Sequence, residues 1–516
     1  MKRALLSVSD KTGIIELAKF LKTQNIEIIS TGGTGKLLSE NKIPYTAIQD
    51  ITGNPEAFGG RMKTISFQVA SGLLFRRSEP QDIADAKSLE IEPIDIVVCN
   101  LYPFEEVAKK KAELATLIEN IDIGGPTMIR AAAKNYPSVS VLTNPNQYEA
   151  FISHYSNQTI EDRYQLALDA FSMTAHYDQF IVNHLLRDQS ERAPLPIVNL
   201  NQSELRYGEN PHQAAWLSQV RNTEQMETLA NATPLQGKAL SYNNMLDADA
   251  AWKCNSDLNH IAGGQTSLTI IKHANPCGVA LGENSLDALK EAWACDPVSS
   301  FGSVICSNKT WNKEMSEWLS DKFVEIIIAP SFDEGAREVL AKKKNLRLIE
   351  LAPKPKHAKE MTVRSINGGL LIQEEDERVH YEYTPSSKTK LSEKTQTLRD
   401  FGMIVNKYLK SNGITLVASR NNFSVLAGGG MGQPNRLDSL KMLAAPRARA
   451  LDYEMSEVLL VSDAFFPFRD SIEVCAEVGI KNIIQPGGSI RDQEVIDACD
   501  EFGIAMEFTG VRHFRH

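Results

Sequence analysis

The sequence predicts an α/β protein whose N-terminal part contains a doubly wound parallel sheet, and two observations lead to this fold class. The first is a set of short apolar runs with the length of buried strands, at residues 4–8, 26–29, 94–99 and 138–142. The second is the helical spacing of Ile14, Leu17, Ala18 and Leu21. Strands that alternate with helices favour a parallel sheet, which binds ligands at the carboxyl ends of its strands.

The C-terminal half repeats this alternation of strands and helices. Its apolar runs lie at residues 268–271, 303–306, 324–328, 414–418 and 457–461. The polar, proline-containing stretch 189–203 is typical of a linker, and 516 residues are too many for a single hydrophobic core. We therefore expect two α/β domains, residues 1–196 and 197–516, and a loop or subdomain boundary in the charged segment 373–396.

Composition narrows the range of partners. The net charge of -10 argues against a nucleic-acid-binding surface. The 7 cysteines are odd in number and form no Cys-x-x-Cys pair, which fits free thiols in a reducing compartment and predicts a cytoplasmic location. No apolar run reaches the ~18 residues of a membrane span, so we expect no membrane partner.

Residues 30–36, Ser-Thr-Gly-Gly-Thr-Gly-Lys, follow the second predicted strand and open a helix. Free N–H groups and the helix dipole favour a phosphate at such a position. The spacing is not that of a Walker A loop, and alone the segment fits a plain glycine-rich turn equally well. Arg61, Lys63 and Lys134 could neutralise a phosphorylated ligand, and Tyr102, Asp122 and Lys134 could handle protons. A lysine on a surface helix is by default a solvated charge, so Lys134 also has that interpretation.

Five blocks, SVSDKTG, STGGT, GRMKT, CNLYPF and IDIGGPTMIRAAAKN, occur in this order between residues 7 and 135. They closely resemble the inosine monophosphate (IMP) cyclohydrolase domain of the bifunctional purine-synthesis enzymes. The resemblance implies a methylglyoxal-synthase-like fold and a formamido-imidazole-carboxamide ribonucleotide (FAICAR) as substrate. Ring closure is intramolecular and releases water, so the site must hold the near-attack geometry and supply protons, without a cofactor.

The resemblance also implies roles for individual residues. Lys134 would shuttle the proton, and Tyr102, Asp122 and Lys63 would assist. The nucleotide contacts would be Ser9, Asp10, Lys11, Thr31, Gly32, Gly33, Thr34, Arg61, Lys63, Thr64, Cys99, Asn100, Asp122 and Ile123. One departure from the family pattern is Ser66-Phe67, where the family usually has His-Pro.

Lys272 and His273 directly follow the apolar run 268–271, and Pro276 and Gly278 predict a turn after them. By itself such a histidine is more often a structural hydrogen-bonding group. Further blocks, at residues 205–213, 241–244, 296–302, 463–470 and 512–516, together resemble the transformylase domain of the same enzyme family. The resemblance implies tandem cytidine-deaminase-like units and formyl transfer from 10-formyltetrahydrofolate to aminoimidazole carboxamide ribonucleotide (AICAR).

In that reaction His273 would remove the proton of a weakly nucleophilic amine, and Lys272 would stabilise charge on the formyl oxygen or protonate the leaving nitrogen. The resemblance maps nucleotide binding onto Arg206, Tyr207, Asn244, Gly302, Glu325, Asn412, Arg436 and Arg512. It maps folate binding onto Leu437, Phe465 and Asp470. It also implies a homodimer with active sites shared across the interface.

Two other interpretations make different predictions. A nucleobase deaminase would need His-x-Glu and Pro-Cys-x-x-Cys for zinc, but His273 precedes Ala274-Asn275 and Ala280 stands where the second cysteine would be. We therefore expect no metal requirement and a packed, unreactive Cys277. Alternatively, the N-terminal domain could be a nucleotide-sensing module that binds its ligand without closing the ring.

Overall fold

The computed structural model describes residues 1–58, 61–102, 104–110, 113–186, 198–220, 227–354 and 361–516. They form two compact units, Met1–Leu200 and Asn201–His516. The expected boundary between residues 196 and 197 lies outside the described residues, as do much of the expected linker and Gly60 and Pro103 of the quoted blocks.

The first unit is an α/β domain. Its strands are β1 (Arg3–Ser7), β2 (Glu27–Ser30), β3 (Thr46–Ala47), β4 (Ile96–Cys99) and β5 (Ser140–Leu142). Its helices are α1 (Ile14–Thr23), α2 (Gly32–Glu40), α3 (Ile48–Thr52), α4 (Phe67–Leu74), α5 (Pro80–Ser88), α6 (Phe104–Lys109), α7 (Leu114–Glu119), α8 (Gly124–Lys134), α9 (Tyr148–His154) and α10 (Ile160–Leu185).

The five strands form one parallel sheet in the order β3-β2-β1-β4-β5. Adjacent residues of β1 enter different cores: Leu6 packs with α1, and Leu5 packs with α8. Both faces are therefore covered by helices, as the alternation of side chains along a strand requires. The strand order reverses between β1 and β4, where a doubly wound sheet opens a crevice for ligands. The predicted fold class is confirmed for this unit.

The second unit contains three sheets. Its strands are β6 (Val198–Leu205), β7 (Ala215–Val220), β8 (Thr266–Lys272), β9 (Asn275–Gly282), β10 (Ser303–Ser307), β11 (Val324–Ala329), β12 (Arg347–Glu350), β13 (Met361–Ile366), β14 (Gly369–Glu374), β15 (Thr384–Pro385), β16 (Ile414–Arg420), β17 (Phe423–Gly430), β18 (Leu459–Ser462), β19 (Asn482–Gln485) and β20 (Ala505–Phe508).

Eleven helices accompany these strands in the described part of the unit. They are α11 (Tyr242–Ile261), α12 (Ser285–Ala294), α13 (Pro297–Ser300), α14 (Lys313–Trp318), α15 (Glu334–Leu340), α16 (Glu393–Gln396), α17 (Arg399–Lys407), α18 (Arg436–Asp438), α19 (Ala445–Ala450), α20 (Asp470–Val478) and α21 (Asp492–Phe502). A π-helical turn, Ser439–Ala444, joins α18 to α19. The segment 373–396, expected to be a loop or a subdomain boundary, contains the end of β14 together with β15 and α16.

The large sheet has 11 strands and repeats one topology twice. In the first half β8 and β9 form a hairpin, β10 pairs antiparallel with β8, and β11 and β12 continue in parallel. In the second half β16 to β20 repeat this order. Antiparallel pairing of β9 with β17 joins the halves. The repeat supports the expected tandem arrangement, and the likeness of each half to cytidine deaminases stays a prediction.

The two hairpins have matching lengths. β8 and β16 contain 7 residues each, and β9 and β17 contain 8 each. The connecting turns are His273-Ala274 and Asn421-Asn422. The turn expected at Pro276 and Gly278 is therefore placed wrongly, because both residues lie within β9.

Among the described residues, no helix has both the length and the apolar character that crossing a bilayer requires.

Candidate active sites

In the first unit, the carboxyl ends of β1 and β4 meet through the side chain of Asn100. Its Oδ1 accepts hydrogen bonds from the backbone N–H groups of Ser9 (2.6 Å) and Asp10 (3.0 Å), and its Nδ2 donates to the Asp10 carbonyl (2.9 Å). Asn100 thus fixes the loop that carries Ser9, Asp10 and Lys11. This loop lies where the strand order reverses, so these predicted residues stand at the crevice of the sheet.

The glycine-rich segment after β2 forms the N-terminus of α2, with Thr31 as its N-cap. The Thr31 side chain does not cap the helix; its hydroxyl lies 2.9 Å from that of Ser7. The Lys63 ammonium lies over Gly32, where an added Cβ would come within 2.7 Å of Nζ. Lys11 lies near Gly33 in the same way, at 3.9 Å. A helix N-terminus with two ammonium groups is a suitable place for a phosphate.

Thr34 and Lys63 also have partners within the chain. The buried Thr34 hydroxyl accepts the Val8 N–H and donates to the Val8 carbonyl, both at 3.1 Å, so it ties α2 to the end of β1. Lys63 Nζ lies 3.2 Å from the carboxylate of Glu56. A phosphate bound at Lys63 would therefore compete with a single partly exposed carboxylate.

Asp122 connects Tyr102 to the start of α8. Its Oδ1 accepts the Gly125 N–H at 2.8 Å, and its Oδ2 accepts the Tyr102 N–H at 3.4 Å. Burial raises the pKa of Asp122, and the two backbone hydrogen bonds oppose that rise. Burial, with the charge of Asp122, also raises the pKa of the Cys99 thiol far above its ordinary value, so Cys99 is a neutral packing residue.

The other predicted residues of this unit differ in their surroundings. Thr64 is buried beside Gly124. Arg61 forms an exposed ion pair with Glu119, and Ile123 is 60% exposed at the N-cap of α8. The hydroxyl of Ser66, where the family has histidine, caps α4 by accepting the Val69 N–H at 3.1 Å. Serine at this position therefore has a structural role.

Lys134 lies at the opposite end of α8 from Gly124. The helix rises about 15 Å over the ten residues from Gly124 to Lys134. A mainly apolar cavity of about 300 Å³ spans part of that distance. It is lined by α4 and the preceding residues 64–66 on one side, and by Thr127, Met128 and Ala131 of α8 on the other. Lys134 is exposed and follows Ala131 by three residues, on the same helical face. Long helical side chains lean toward the N-terminus of their helix, so the Lys134 side chain is directed toward the Ala131 end of this cavity.

Replacing Gly32 by alanine should impair binding of a phosphorylated ligand. The new Cβ would displace the Lys63 ammonium, and the φ of +27° disfavours any side chain. We expect kcat/KM for ring closure of supplied FAICAR to fall about tenfold, equivalent to about 1.4 kcal/mol. Gly53→Ala is the control for backbone strain, because Gly53 has a φ of +66° and no atom within 4 Å of the added Cβ. Equal activity of Gly32→Ala and Gly53→Ala would refute the role of Gly32.

In the second unit, His273 occupies the two-residue turn between β8 and β9. His273 and Ala274 have φ angles of 52° and 58°, in the left-handed region. Such conformations cost about 1–3 kcal/mol each for non-glycine residues and persist where function requires them. The carbonyl of His273 accepts a hydrogen bond from Asn275 Nδ2 at 2.7 Å, and the carboxylate of Asp247 accepts the Ala274 N–H at 2.7 Å.

Lys272 is held by the loop before β10. Its Nζ donates to the carbonyls of Phe301 (3.1 Å) and Gly302 (2.8 Å). An ammonium group has three N–H bonds, so one remains for a ligand after these two contacts in the described chain. Gly302 has a φ of +68°, and a Cβ there would come within 3.0 Å of Lys272 Nζ. The contacts of Gly302 therefore position Lys272.

Lys272 and His273 line a cavity of about 320 Å³ between the two halves of the large sheet. The first half also contributes Asn275, Cys277 and Asp296; the second half contributes Gly428, Gly429, Met431 and Arg447 among others. The buried Oδ1 of Asn275 has no hydrogen-bond partner among the described residues and can accept one from a bound molecule. Burial raises the pKa of Cys277 to about 12, as expected of a packed thiol rather than a nucleophile.

A second cluster lies in the second half, just beyond the cavity residue Met431 in the chain. Arg436 forms an ion pair with Asp463, with Nη2 2.9 Å from Oδ1, and its Nη1 donates to the Phe465 carbonyl at 3.3 Å. Asn412 has a φ of 59°, and its Nδ2 donates to the Gln433 carbonyl at 2.7 Å. Burial raises the pKa of Asp463, and the charge of Arg436 opposes that rise.

The remaining predicted residues of this unit each have separate contacts. Arg206 stacks on the Tyr207 ring at 4.9 Å, and Arg512 stacks on Phe514 at 4.5 Å. Asn244 forms a capping box with Ser241 at the start of α11, and Glu325 forms an ion pair with the buried Arg347.

Two of the predicted folate contacts lie on helices of this unit. Leu437 is the middle residue of α18, and Asp470 is the exposed first residue of α20.

Within the described ranges, no group of three or more His, Cys, Asp or Glu side chains could hold a metal ion.

Sequence reasoning missed Asp247, Asn275, Arg447 and Asp463. Asn275 and Asp463 could have been found, since they lie inside quoted blocks. Arg447 and Asp247 stand in ordinary helical segments, and only the fold brings them to the cavity or to its turn.

Comparison with known proteins defines the class. The family model "AICARFT/IMPCHase bienzyme" matches residues 132–446, more than half of the chain, and an "MGS-like domain" model matches residues 13–127. The chain therefore belongs to the AICARFT/IMPCHase bienzyme family, the bifunctional enzymes of purine biosynthesis with AICAR formyltransferase and IMP cyclohydrolase activities.

A relative of this class is the bifunctional purine biosynthesis protein PurH of Petrotoga mobilis, which is 43% identical over 524 residues that cover 100% of both chains. A solved structure titled "Crystal structure of ForH" is 31% identical and covers 37% of this chain and 100% of its own, with a TM-score of 0.34.

Proposed function

We propose that the cavity at Lys272 and His273 catalyses formyl transfer from 10-formyltetrahydrofolate to AICAR, and that the crevice of the first unit closes FAICAR to IMP. The observation that carries the first assignment is the left-handed turn that presents His273 at the cavity wall beside Lys272. Two separate reactions fit the two separate groups of residues. We also propose a cytoplasmic homodimer that binds small molecules and neither nucleic acid nor membranes.

In formyl transfer, the AICAR amine attacks the formyl carbon while His273 accepts its proton. Lys272 stabilises the negative charge that develops on the formyl oxygen. The bond from the formyl carbon to N10 of the folate then breaks, N10 takes a proton, and FAICAR and tetrahydrofolate leave. No metal takes part in this scheme.

For the nucleotide and folate we propose the contacts that the resemblance implies. Arg206, Tyr207, Asn412, Arg436 and Arg512 are suitable for the phosphate, ribose or base. Asn244, Gly302 and Glu325 already have structural partners, so we propose that they support the site through Ser241, Lys272 and Arg347. Leu437, Phe465 and Asp470 are the proposed folate contacts.

In ring closure, we propose that the phosphate binds at the N-terminus of α2 between Lys11 and Lys63. The base then extends into the cavity along α8, with its reacting end toward Lys134, one helical turn beyond the lining residue Ala131. The carboxamide nitrogen attacks the formyl carbon, and Lys134 passes a proton from that nitrogen to the formyl oxygen. Loss of the resulting hydroxyl together with the formamido N–H proton then releases water and forms the C=N bond of the ring. Asp122 and Tyr102 hold the loop at the near end of the cavity.

Lys134→Ala tests this arrangement against a nucleotide-sensing role. We expect kcat for ring closure of supplied FAICAR to fall about 10²-fold or more, because a positioned proton-transfer group contributes that much. The KM should change little, since the phosphate site is at the other end of the nucleotide. Lys19→Ala, an exposed lysine of α1, is the matched control. Wild-type protein that binds FAICAR without closing the ring would favour the sensor.

The assay of both half-reactions tests the proposal as a whole. Purified protein should convert AICAR and 10-formyltetrahydrofolate to IMP, and FAICAR alone to IMP. Formation of neither product would refute the proposed function. Metal analysis of the purified protein that found stoichiometric zinc would favour a deaminase instead.

A further inference from the structure

The turn that carries His273 has a counterpart of the same shape in the other half of the sheet. Asn421 and Asn422 connect β16 to β17 with φ angles of 51° and 66°, close to the 52° and 58° of His273 and Ala274. Asparagine tolerates the left-handed region well, whereas alanine does not. The second turn is therefore built from two residues that suit its backbone, whereas the first contains Ala274, which does not. Something outside the turn must stabilise the first one.

Asp247 is the group that contacts the first turn from outside. Its Oδ1 accepts the Ala274 N–H at 2.7 Å. Burial raises the pKa of Asp247, and hydrogen bonds from the backbone of Ala274 and His273 and the charges of His273 and Lys272 oppose that rise. A half-buried carboxylate that accepts backbone N–H groups is well suited to fix a strained loop.

The helix that presents Asp247 is itself firmly placed. Ser241 and Asn244 form a capping box at the start of α11, one turn before Asp247. The neighbouring Ala248 and Ala251 are fully buried against Ile271 of β8. The carboxylate is thus carried by a rigid element that packs on β8, the strand that leads into the His273–Ala274 turn.

We propose that Asp247 is a positioning residue of the formyl-transfer site: its carboxylate holds the His273–Ala274 turn in the left-handed conformation and so keeps the imidazole at the cavity wall. The inference rests on the proposed formyl transfer. It assigns Asp247 no contact with substrate.

Four variants of the full chain test the proposal: Asp247→Ala, Asp247→Asn, Ala274→Gly and the double variant Asp247→Ala/Ala274→Gly. Asp247→Ala should lower kcat for formyl transfer about 10²-fold, as a misplacement of about 1 Å does, with a KM for AICAR within a few-fold of wild type. Asp247→Asn keeps an acceptor oxygen and should recover most of kcat.

The glycine variants separate conformation from charge. Glycine adopts the left-handed region without strain, so kcat of the double variant Asp247→Ala/Ala274→Gly should be at least several-fold higher than that of Asp247→Ala. Ala274→Gly alone, which keeps Asp247, should have a kcat close to that of wild type. Wild-type kcat in Asp247→Ala would overturn the proposal. The proposal would also be overturned if neither Asp247→Asn nor Asp247→Ala/Ala274→Gly had a kcat above that of Asp247→Ala.

Hydrogen–deuterium exchange provides a readout that needs no activity. The Ala274 amide should exchange faster in Asp247→Ala than in wild type, and Asp247→Asn should retain its protection. Unchanged exchange in Asp247→Ala would overturn the proposal. If wild-type protein lacked formyl transfer, the proposed function would fail instead, and the exchange rates would still decide whether Asp247 holds the turn. Ring closure of FAICAR by the first unit serves as the control for intact protein in every variant.

Discussion

His273→Ala should reduce formyl transfer about 10²–10⁴-fold while leaving ring closure of supplied FAICAR unchanged. The AICAR amine is a weak nucleophile because its lone pair is delocalised into the ring. Without a base to take the proton as the new bond forms, the transition state loses the stabilisation typical of general base catalysis. The first unit contains none of the cavity residues, so its reaction should not respond.

Steady-state assays of each half-reaction, with AICAR and 10-formyltetrahydrofolate in one and FAICAR in the other, measure this difference. His154→Ala is the matched control, because His154 is an exposed histidine at the end of α9 in the first unit. The control should leave formyl transfer unchanged. Parallel loss of both activities in His273→Ala would mean that the two sites are not independent, and retention of formyl transfer would exclude His273 as the base.

Arg436→Met should destabilise the second unit by about 3–5 kcal/mol at pH 7, because it leaves the carboxylate of Asp463 buried without its cation. The loss should depend on pH with a definite sign. Burial already raises the pKa of Asp463, and removal of Arg436 raises it further. A carboxyl group whose pKa is raised in the folded state favours folding when it is protonated. The difference in unfolding free energy between wild type and Arg436→Met should therefore grow as pH rises above about 4. It should be smaller at pH 5 than at pH 7.

Urea denaturation followed by tryptophan emission measures this effect in the second unit alone. All 5 tryptophans of the chain lie there, at positions 216, 252, 293, 311 and 318. Arg469→Met is the control, since Arg469 forms solvent-screened ion pairs with Glu473 and Glu501, and its loss should leave the urea midpoint nearly unchanged. The double variant Arg436→Met/Asp463→Asn should recover part of the loss by removing the buried charge. Equal stability of Arg436→Met and wild type at both pH values would contradict the prediction.

Sequence patterns predicted nine of the strands that contain short apolar runs, and among the strands they missed are two long ones that contain glycine. β9 and β17 include Gly278 and Gly430, residues that normally indicate turns. In the fold these glycines allow close packing instead: an added Cβ would come within 2.1 Å of the Ala292 carbonyl at Gly278, and within 2.0 Å of the Ser439 carbonyl at Gly430. At these two positions, close packing against a neighbouring helix or helical turn overrides the preference of glycine for turns.

The candidate sites were predictable to the extent that their residues lie at strand ends. Ser9, Asn100 and Lys272 follow apolar runs, and the topology of an α/β sheet brings such positions together. The contact of Asp247 with a turn 27 residues away depends instead on how α11 packs on β8. The place of Lys134 depends on the length of α8 and on the cavity beside it, which no local pattern encodes.

The seam between the two halves of the large sheet limits how this protein can be divided. It consists of the pairs Ser424↔Leu281 and Val425↔Ala280, in the middle of the 11 strands. A fragment that ended between the halves would expose β9 or β17 as an open sheet edge, which invites pairing with other chains and aggregation. The smallest fragment suited to separate expression of the formyl-transfer site is therefore the whole second unit, Asn201–His516.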